Sequence, residues 1–265
     1  MVIMAWKGAK ITFAKRIGNS FARSILRLLG VLDKAMQLKN LSYAKYYARI
    51  LLRNWSGKQE SYAQHGEDLL VEQLLGKIES FIDIGANDGV LFSNTFKFAN
   101  KGARGLCVEP SLISFAKLRL NHLFHPKVKC IRCAASSQTG ILYLKEEGYE
   151  STLSQVHSNA SLNSAKVRAF TLDELISKHS SFNKVDLLSI DVEGHEESVL
   201  QGSKEPIQAK VIILETDKSE IRSLCSLPAL KEHKPVFENG INLILAWGRS
   251  DLAPPKKLPP GFIPC

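Results

Sequence analysis

The sequence lacks long hydrophobic runs and is poor in cysteine. None of its apolar runs approaches the roughly 18–20 consecutive residues that cross a membrane. The five cysteines are an odd number with no clear secretory signal before them, so we expect a reducing, cytoplasmic setting. The only close pair, Cys130 and Cys133, lies in an apolar run that predicts a strand. Because residues three apart on a strand point to opposite faces, we expect neither a zinc site nor a redox pair there.

Acidic residues are almost absent from the first part of the chain. Residues 1–58 contain twelve basic residues and one acid, Asp33, which gives a net charge of +11. The remaining 207 residues contain 23 basic and 25 acidic residues, a net charge of −2. A nucleic-acid-binding domain is expected to carry a basic stripe on its folded surface. The near-neutral body therefore argues against nucleic acid as a partner.

The basic segment 1–58 is predicted to be a helical extension. Between residues 14 and 32 apolar residues recur at steps of three and four, which is typical of an amphipathic helix, and a second helical stretch covers Leu41–Trp55. Through residues 10–32 such a helix could make peripheral contact with an anionic membrane surface, or it could act as an organellar presequence. It could equally pack its apolar stripe on the body. The sequence leaves these three alternatives open.

The body of the chain, residues 59–250, alternates short apolar runs with helical stretches. The apolar runs are Phe81–Ile84, Gly105–Val108, Val128–Cys133, Leu187–Ile190 and Val211–Leu214. Predicted helices between and after them cover residues 92–100, 112–123, 172–179, 196–202 and 219–232. This alternation predicts a doubly wound α/β domain whose mostly parallel sheet is covered on both faces. Two late runs, Pro235–Phe237 and Asn242–Trp247, predict a closing antiparallel hairpin, and residues 251–265, with five prolines, predict an extended tail.

Acids and glycines follow the predicted strands at the positions where such a fold binds its ligand. In an open α/β sheet the ligand lies beyond the carboxyl ends of the strands, where the strand order reverses. The segments at these positions are Asp83–Gly89, Glu109-Pro110, Ala134-Ala135, Asp191–His195 and Glu215–Asp217. Packing alone does not account for acids or glycines at four of five strand ends. We therefore predict the binding site there.

The glycine loop after the first strand discriminates between two nucleotide-like ligands. Glu109 lies twenty residues beyond Gly89, near the spacing at which a carboxylate commonly accepts from ribose hydroxyls, so both NAD and S-adenosylmethionine are candidates. A dinucleotide loop needs G-x-G-x-x-G/A, but counting from Gly85 places Asn87 and Val90 at its second and third positions. An acid at the loop entrance, Asp83, would repel pyrophosphate and suits a cation. The pattern favours S-adenosylmethionine.

Three segments together resemble the FkbM-type S-adenosylmethionine-dependent methyltransferases. They are Ser61–Asp68 (SYAQHGED), Phe81–Gly89 (FIDIGANDG) and Ile190–Glu196 (IDVEGHE). The similarity extends over about residues 61–247 and includes Val167–Ile176, whereas residues 1–58 and the tail lie outside it. The resemblance implies a seven-stranded Rossmann-like sheet, a bound methyl donor, and transfer to oxygen, often on sugars of glycans or polyketides.

The resemblance also assigns roles by position. The donor's methionine part would lie among Asp83, Gly85, Ala86, Asn87 and Gly89. Its ribose would bind Glu109, beside Pro110, and its adenine would lie near Ala134 and Ala135. Gln64 and Asp68 are carried over as pocket-closing residues, with a plain helix start as the alternative for them.

The acceptor side is predicted after the fourth strand. Asp191, Glu193 and His195 are the candidate catalytic residues, because an alcohol needs a proton acceptor near the methyl group, and His195 could instead be an ordinary first-turn residue. Asp191, Glu215 and Asp217 could supply oxygens for Mg²⁺, although we do not favour a metal. The polar stretch 146–158 could form a lid, in which Tyr149, Ser151 and Thr152 are plausible sugar contacts.

Together these features predict an O-methyltransferase that acts on a hydroxyl of a glycan, glycolipid or related natural product. A nicotinamide-dependent oxidoreductase is the main alternative, and a non-catalytic scaffold on the same fold is another. Methylation of nucleic-acid amino groups is disfavoured, because no Asn-Pro-Pro-aromatic motif follows the fourth strand.

Overall fold

The structure of the protein is a computed structural model. It describes residues 60–147, 150–154, 164–216, 221–248 and 252–265, with side chains described outside 145–147 and 150–154. The basic segment 1–58 lies outside the described residues. Its predicted helices, and the membrane contact proposed for residues 10–32, therefore stay predictions. In the described part of the chain, no helix combines the length and the apolar character needed to cross a membrane.

Twelve strands and six helices form the described part of the chain. The strands are β1 (Ser80–Ile84), β2 (Arg104–Val108), β3 (Val128–Ile131), β4 (Ala134–Ala135), β5 (Gly140–Glu147), β6 (Glu150–Ser154), β7 (Ser164–Phe170), β8 (Val185–Ile190), β9 (Ala209–Glu215), β10 (His233–Glu238), β11 (Asn242–Trp247) and β12 (Ile263–Pro264). The helices are α1 (Glu67–Leu75), α2 (Phe96–Asn100), α3 (Leu112–Asn121), α4 (Leu172–Ser177), α5 (Glu196–Gln201) and α6 (Ile221–Cys225). Short 3-10 turns cover Ser180–Phe182 and Pro228–Leu230.

The main sheet has the order β12-β10-β11-β9-β8-β1-β2-β3. Strands β3, β2, β1, β8 and β9 are parallel, whereas β11 and β10 form the antiparallel hairpin that the sequence predicts. The doubly wound, Rossmann-like fold is confirmed, and the two-residue strand β12 adds an eighth strand to the seven expected. The chain runs outward from β1 to β3 and returns beside β1 as β8, so the strand order reverses between β1 and β8. A ligand is expected at that point.

A second sheet, of order β4-β7-β5-β6, was not predicted. In it β5 pairs antiparallel with both β6 and β7, and β4 runs parallel to β7. Part of the stretch predicted as a lid, residues 146–158, therefore belongs to a β-hairpin. Tyr149 and residues 155–158 lie outside the described residues, and the side chains of Ser151 and Thr152 are not described. The lid and its sugar contacts stay predictions.

Two apolar cores cover the two faces of the main sheet, because successive strand residues point to opposite sides. Phe81 belongs to one core, and Ile82 and Ile84 belong to the other. Cys130 packs against the core that contains Phe81, whereas Cys133 is buried in the opposite one. The prediction that the two thiols point to opposite faces is confirmed, and all five cysteines are free.

Short polar residues determine where several helices begin. The Thr171 side chain accepts from the Glu174 backbone N–H at 3.2 Å, which caps the beginning of α4. The helix predicted to begin at Phe92 begins at Phe96 instead, since Ser93 Oγ accepts the backbone N–H of Phe96 at 3.0 Å. Residues 92–95 therefore form a separate turn before α2. This turn lies at the edge of the functional site described below.

The proline-rich tail packs on the body as an extended segment. The Ala253 backbone N–H donates to the Leu74 carbonyl at the end of α1, at 3.0 Å. Further along, β12 pairs with β10, and Phe262 is buried in the apolar core that also contains Phe237. These contacts make residues 252–265 part of the packed structure.

Candidate functional site

A pocket opens at the carboxyl ends of β1, β2, β8 and β9, at the reversal of strand order. It is lined by Gln64, Asp83, Gly85, Ala86, Asn87, Leu91, Phe92, Ser93, Asn94, Glu109, Pro110, Ser114, Ser189, Asp191, Val192, Glu193 and Glu215. Five of these seventeen residues are acidic and only one is aromatic. The pocket therefore suits a ligand that is cationic near the carboxylates.

The loop after β1 approaches the backbone after β8 too closely for a side chain at residue 85. A Cβ on Gly85 would lie 1.7 Å from the Asp191 carbonyl oxygen, and the φ of Gly85 is +85°. Only glycine satisfies both conditions. The carboxylate of Asp88 accepts from the backbone N–H groups of Val90 and Leu91 at 2.9 and 2.8 Å, which fixes the second half of the loop.

Glu109 is held in position by backbone donors from two segments. Its Oε2 accepts from the Asn87 N–H at 2.9 Å, and its Oε1 accepts from the Ser111 N–H at 2.7 Å. The side chain is buried and lines the pocket. Since carboxylate oxygens have several acceptor sites each, Glu109 retains acceptor capacity for ligand hydroxyls.

Asp83 is buried beneath the loop. Its Oδ2 accepts from Thr95 Oγ1 at 2.5 Å. Burial raises the pKa of Asp83 to about 7, the Thr95 hydrogen bond lowers it, and the neighbouring Asp191 adds a smaller increase. A buried carboxyl that is only partly ionised at neutral pH is stabilised in its charged form by a nearby cation.

Asp191 and Glu215 are neighbouring carboxyl groups at the ends of β8 and β9. Burial raises the pKa of Glu215 to about 9, with further contributions from Asp191, Glu193 and Glu196. Burial also raises the pKa of Asp191, whereas the neighbouring Glu215 lowers it. Because the pKa of Glu215 lies above 7, we expect the pair to hold one proton at neutral pH.

The turn after β8 is organised by Glu196, whose Oε1 accepts from the backbone N–H groups of Val192 and Gly194 at 2.9 and 3.2 Å. In this turn Glu193 has a positive φ of 55°, and it lines the pocket. Glu196 acts on the backbone, and it does not line the pocket itself.

The turn at residues 92–95 forms the wall on the β8 side. The Asn94 side-chain amide donates to Ser189 Oγ at 3.1 Å, which holds the turn against the end of β8. Phe92 forms an isolated bridge with Ala63, next to Gln64 in the pocket wall. The turn therefore lies on the opposite side of β1 from Glu109, which follows β2.

Most of the residues predicted for the site lie together in this pocket. They are Asp83, Gly85, Ala86, Asn87, Glu109, Pro110, Asp191 and Glu193, with Gln64 as a predicted closing residue. Their roles toward a ligand stay predictions.

Five other predicted residues do not line the pocket. Gly89 faces α3, where a Cβ would lie 2.5 Å from Leu118 Cδ1. Ala134 and Ala135 are buried in β4 and pair with β7. Asp68 accepts from Ser61 Oγ at 2.5 Å and the Tyr62 N–H at 2.8 Å, so it stabilises the start of α1.

His195 is the fifth of these residues, and its position does not suit a base acting in the pocket. It precedes α5, and its Nε2 lies 3.1 Å from Ser136 Oγ. Ser136 directly follows β4 in the second sheet. Burial lowers the pKa of His195. His195 thus lies outside the pocket lining, and its role as a proton acceptor stays a prediction.

Seven lining residues were not among the predicted site residues: Leu91, Phe92, Ser93, Asn94, Ser114, Ser189 and Val192. The turn at 92–95 was missed because its apolar residues fit the period of the following helix. Its Ser-Asn-Thr sequence, typical of turns and helix starts, was the available signal. Ser189 was hidden inside an apolar strand.

Metal binding finds no further support among the described residues, where no group of three or more His, Cys, Asp or Glu side chains has a metal-site arrangement. Asp191 and Glu215 are adjacent, as the Mg²⁺ hypothesis requires. Its third member, Asp217, lies outside the described residues.

The fold and this pocket define the class as a Rossmann-like domain of the methyltransferase type, with its ligand site at the reversal of strand order. The model of the methyltransferase FkbM domain matches residues 83–233, which is more than half of the chain. The chain belongs to the FkbM methyltransferase family. Among curated proteins no match was found.

Solved structures similar to this chain are distant from it. The methyltransferase FkbM from Methylobacillus flagellatus is 15% identical, with a TM-score of 0.43 over 64% of this chain and 44% of its own. The METTL16 methyltransferase domain is 16% identical, with a TM-score of 0.41 over 68% and 65%. A TehB-like SAM-dependent methyltransferase from Corynebacterium glutamicum is 10% identical, with a TM-score of 0.41 over 80% and 100%. The chain thus spans less than two thirds of the length of the first two.

Proposed function

We propose that the protein is an S-adenosylmethionine-dependent methyltransferase that methylates a hydroxyl oxygen of a glycan, glycolipid or related natural product. The observation that carries this proposal is the pocket at the reversal of strand order, which an oriented Glu109 carboxylate and a buried Asp83 line together with the Gly85 loop. Membership of the FkbM family supports methyl transfer, and the choice of oxygen and of glycans rests on the resemblance.

The pocket residues fit the donor in charge and in hydrogen-bonding capacity. Glu109 can accept from both ribose hydroxyls, since its backbone partners hold the carboxylate still. Asp83 lies where a sulfonium or ammonium cation would favour its charged form. The absence of a side chain at Gly85 lets this loop pack directly against the Asp191 carbonyl, which keeps the two pocket-lining loops together.

The same loop disfavours a nicotinamide dinucleotide. A pyrophosphate is bound by free backbone N–H groups at the glycine-rich turn. Here the Asn87 N–H already donates to Glu109, and the Asn87 side chain occupies the position of the bare second glycine. Two further carboxyl groups in the wall, Asp83 and Asp191, would repel phosphate.

On the acceptor side, Asp191 and Glu215 are proposed to take the hydroxyl proton. Bound S-adenosylmethionine supplies an electrophilic methyl group on its sulfonium. Asp191 would orient the acceptor hydroxyl by accepting its hydrogen bond, and it would take the released proton while Glu215 keeps the proton that it already holds. Because the carboxyl pair holds one proton already, its second site is the one available as a base. Glu193 would keep the local potential negative.

Isothermal titration calorimetry with S-adenosylhomocysteine and with NAD tests the donor assignment. We expect micromolar binding of S-adenosylhomocysteine and none of NAD. Binding of NAD alone would contradict the proposal. Glu109→Gln is the matched variant, because it preserves shape and loses the charge, and it should weaken S-adenosylhomocysteine at least tenfold.

A methyl-transfer assay on glycan and lipid fractions, run with and without EDTA, tests the acceptor class and the metal hypothesis together. We expect transfer to glycan hydroxyls that survives EDTA. Asp191→Asn should reduce turnover about 10²–10⁴-fold, the usual contribution of a general base, and should leave S-adenosylhomocysteine affinity nearly unchanged. Unchanged turnover in this variant would remove Asp191 from the mechanism, and donor binding with no transfer would favour the scaffold alternative.

A further inference from the structure

Phe92 combines two features that do not stabilise the fold. Its side chain is 55% exposed, although it is one of the largest apolar side chains of the domain. Its φ is +57°, a left-handed conformation that is strained for a bulky residue other than glycine. Such strain is concentrated at ligand-binding positions, where the surrounding structure maintains it.

The position of Phe92 places it on the acceptor side of the pocket. The next residues, Ser93 and Asn94, also line the pocket, and Asn94 donates to Ser189 at the end of β8. Glu109, the proposed ribose ligand, lies on the other side of β1. The bridge from Phe92 to Ala63 fixes the backbone at this point, so the ring belongs to an anchored segment.

The groups near Phe92 have the composition that a sugar ring requires. A pyranose presents a face of C–H bonds, which packs on an aromatic ring, and a rim of hydroxyls, which needs amide and carboxylate partners. Phe92 is the aromatic residue of the pocket wall, and Gln64, Asn94 and Glu193 supply polar groups in the same wall. A lipid chain would pack on the ring and would make no use of the polar groups in the same pocket.

We propose that Phe92 is an acceptor-binding residue on which the C–H face of a pyranose ring stacks, so that a ring hydroxyl reaches Asp191. This inference rests on the proposed function and names the chemistry by which the acceptor is recognised. The strained backbone holds Phe92 in the pocket wall, where its exposed ring offers a face on which a sugar can pack.

Saturation-transfer difference NMR tests the proposal on protein loaded with S-adenosylhomocysteine. The probes are the methyl α-glycosides of glucose, galactose, mannose, rhamnose and fucose. We expect at least one of them to receive saturation on its ring C–H protons. Phe92→Asn should abolish that signal, because asparagine tolerates a positive φ and lacks the aromatic face. Phe92→Tyr keeps the ring and should retain the signal.

Phe124→Ala is the matched control, since Phe124 is 64% exposed and does not line the pocket. It should leave the sugar signals unchanged. Thermal unfolding provides the readout that separates binding from structure: Phe92→Asn should keep Tm within about 2 °C of the parent or raise it, because the strain is relieved. All variants should bind S-adenosylhomocysteine with parental affinity.

Two results would overturn the stacking proposal while leaving the donor assignment intact. One is normal S-adenosylhomocysteine binding with no Phe92-dependent signal from any of the five glycosides. The other is a fall in Tm of more than about 4 °C in Phe92→Asn, which would show that the ring supports the fold. Loss of S-adenosylhomocysteine binding in the parent protein would instead contradict the proposed function.

Discussion

At the scale of single residues, Glu215 and Asp83 bind protons more tightly in the folded protein than in the unfolded chain. Burial raises their pKa values to about 9 and about 7, above the ordinary values of 4.5 and 3.8. These two groups therefore hold more protons in the folded protein than in the unfolded chain between about pH 4 and pH 9, and their contribution to stability falls as pH rises through that range.

We accordingly expect the Tm of the ligand-free protein to be lower at pH 8.5 than at pH 6. Glu215→Gln should flatten this dependence, because it removes the group whose proton is lost at the highest pH. Differential scanning fluorimetry across the pH series measures it, with Glu197→Gln, an exposed neighbour on α5, as the control. A Tm that rises with pH in the parent protein would contradict the assigned burial.

Gly85 gives a second prediction at this scale. In Gly85→Ala the added methyl carbon would lie only 1.7 Å from the Asp191 carbonyl oxygen, and the alanine would have to adopt the unfavourable positive φ of this position. The loop must therefore move. We expect S-adenosylhomocysteine affinity to fall at least a hundredfold by calorimetry. Gly140→Ala, where a Cβ would contact nothing within 4 Å, should bind as the parent does. Equal affinities for the two variants would contradict the prediction, because they would show that the loop accommodates a methyl group at residue 85.

The identity of these residues was accessible from the sequence, since acids and glycines after apolar runs have few explanations other than a site. The contacts between these residues could not be predicted from the sequence. Asp191 and Glu215 are 24 residues apart in sequence, and only the parallel pairing of β8 with β9 makes them neighbours. Nothing local to His195 reveals that it faces Ser136 instead of the pocket.

At the scale of elements, α3 supports the glycine loop from behind. The Asn121 side-chain amide donates to the Asp88 carbonyl oxygen at 2.7 Å, in a buried setting. Asn121→Ala leaves that carbonyl without its donor, so we expect a loss of about 1–3 kcal/mol in the free energy of unfolding. The loop should also loosen, and we expect S-adenosylhomocysteine to bind about tenfold more weakly.

Thr171→Ala is the matched control for this prediction, because it removes the cap of α4, a helix that contributes no residue to the pocket. It should cost about 0.5–2 kcal/mol of stability by urea unfolding. Donor affinity should stay at the parental value. If Asn121→Ala and Thr171→Ala weaken S-adenosylhomocysteine binding equally, the loss follows from lower overall stability. The proposed support of the glycine loop by α3 would then be wrong.

Elements were predictable where local pattern and tertiary packing agree. The five parallel strands and the late hairpin were expected because each contains a short apolar run, and β1 and β8 are buried along their whole length. The second sheet was not expected, since β5, β6 and β7 mix charged and apolar residues and depend on one another for their hydrogen bonds. The α2 boundary moved for a similar reason: the turn at 92–95 is held by contacts to β8 and Ala63.

At the scale of the whole molecule, the proline-rich tail is part of the packed domain. Phe262 is buried beside Phe237, whereas its neighbour Ile263 is 54% exposed. Phe262→Ala should lower the free energy of unfolding by about 3–5 kcal/mol through the lost apolar contact and the cavity. Ile263→Ala should change it by less than about 0.5 kcal/mol. Urea unfolding of the two variants measures the difference, and equal small losses would mean that the tail does not dock in solution.

The overall architecture could be predicted from the alternating pattern of apolar runs, but the surface on which the tail packs could not. Five prolines predict an extended chain, and they say nothing about which surface it follows. That surface is determined by β10, whose outer edge is open to pairing, and by the end of α1. Only a description of the complete sheet identifies this edge.

The close approach of Gly85 to the Asp191 carbonyl oxygen has a consequence for how this site can change. The two positions are 106 residues apart in the chain, and the space between them cannot hold a methyl group. Substitutions on the two loops are therefore expected to be epistatic, because a shift of either backbone alters the room available to the other. Laboratory evolution of a new acceptor preference should vary the turn at 92–95 and leave both loops untouched.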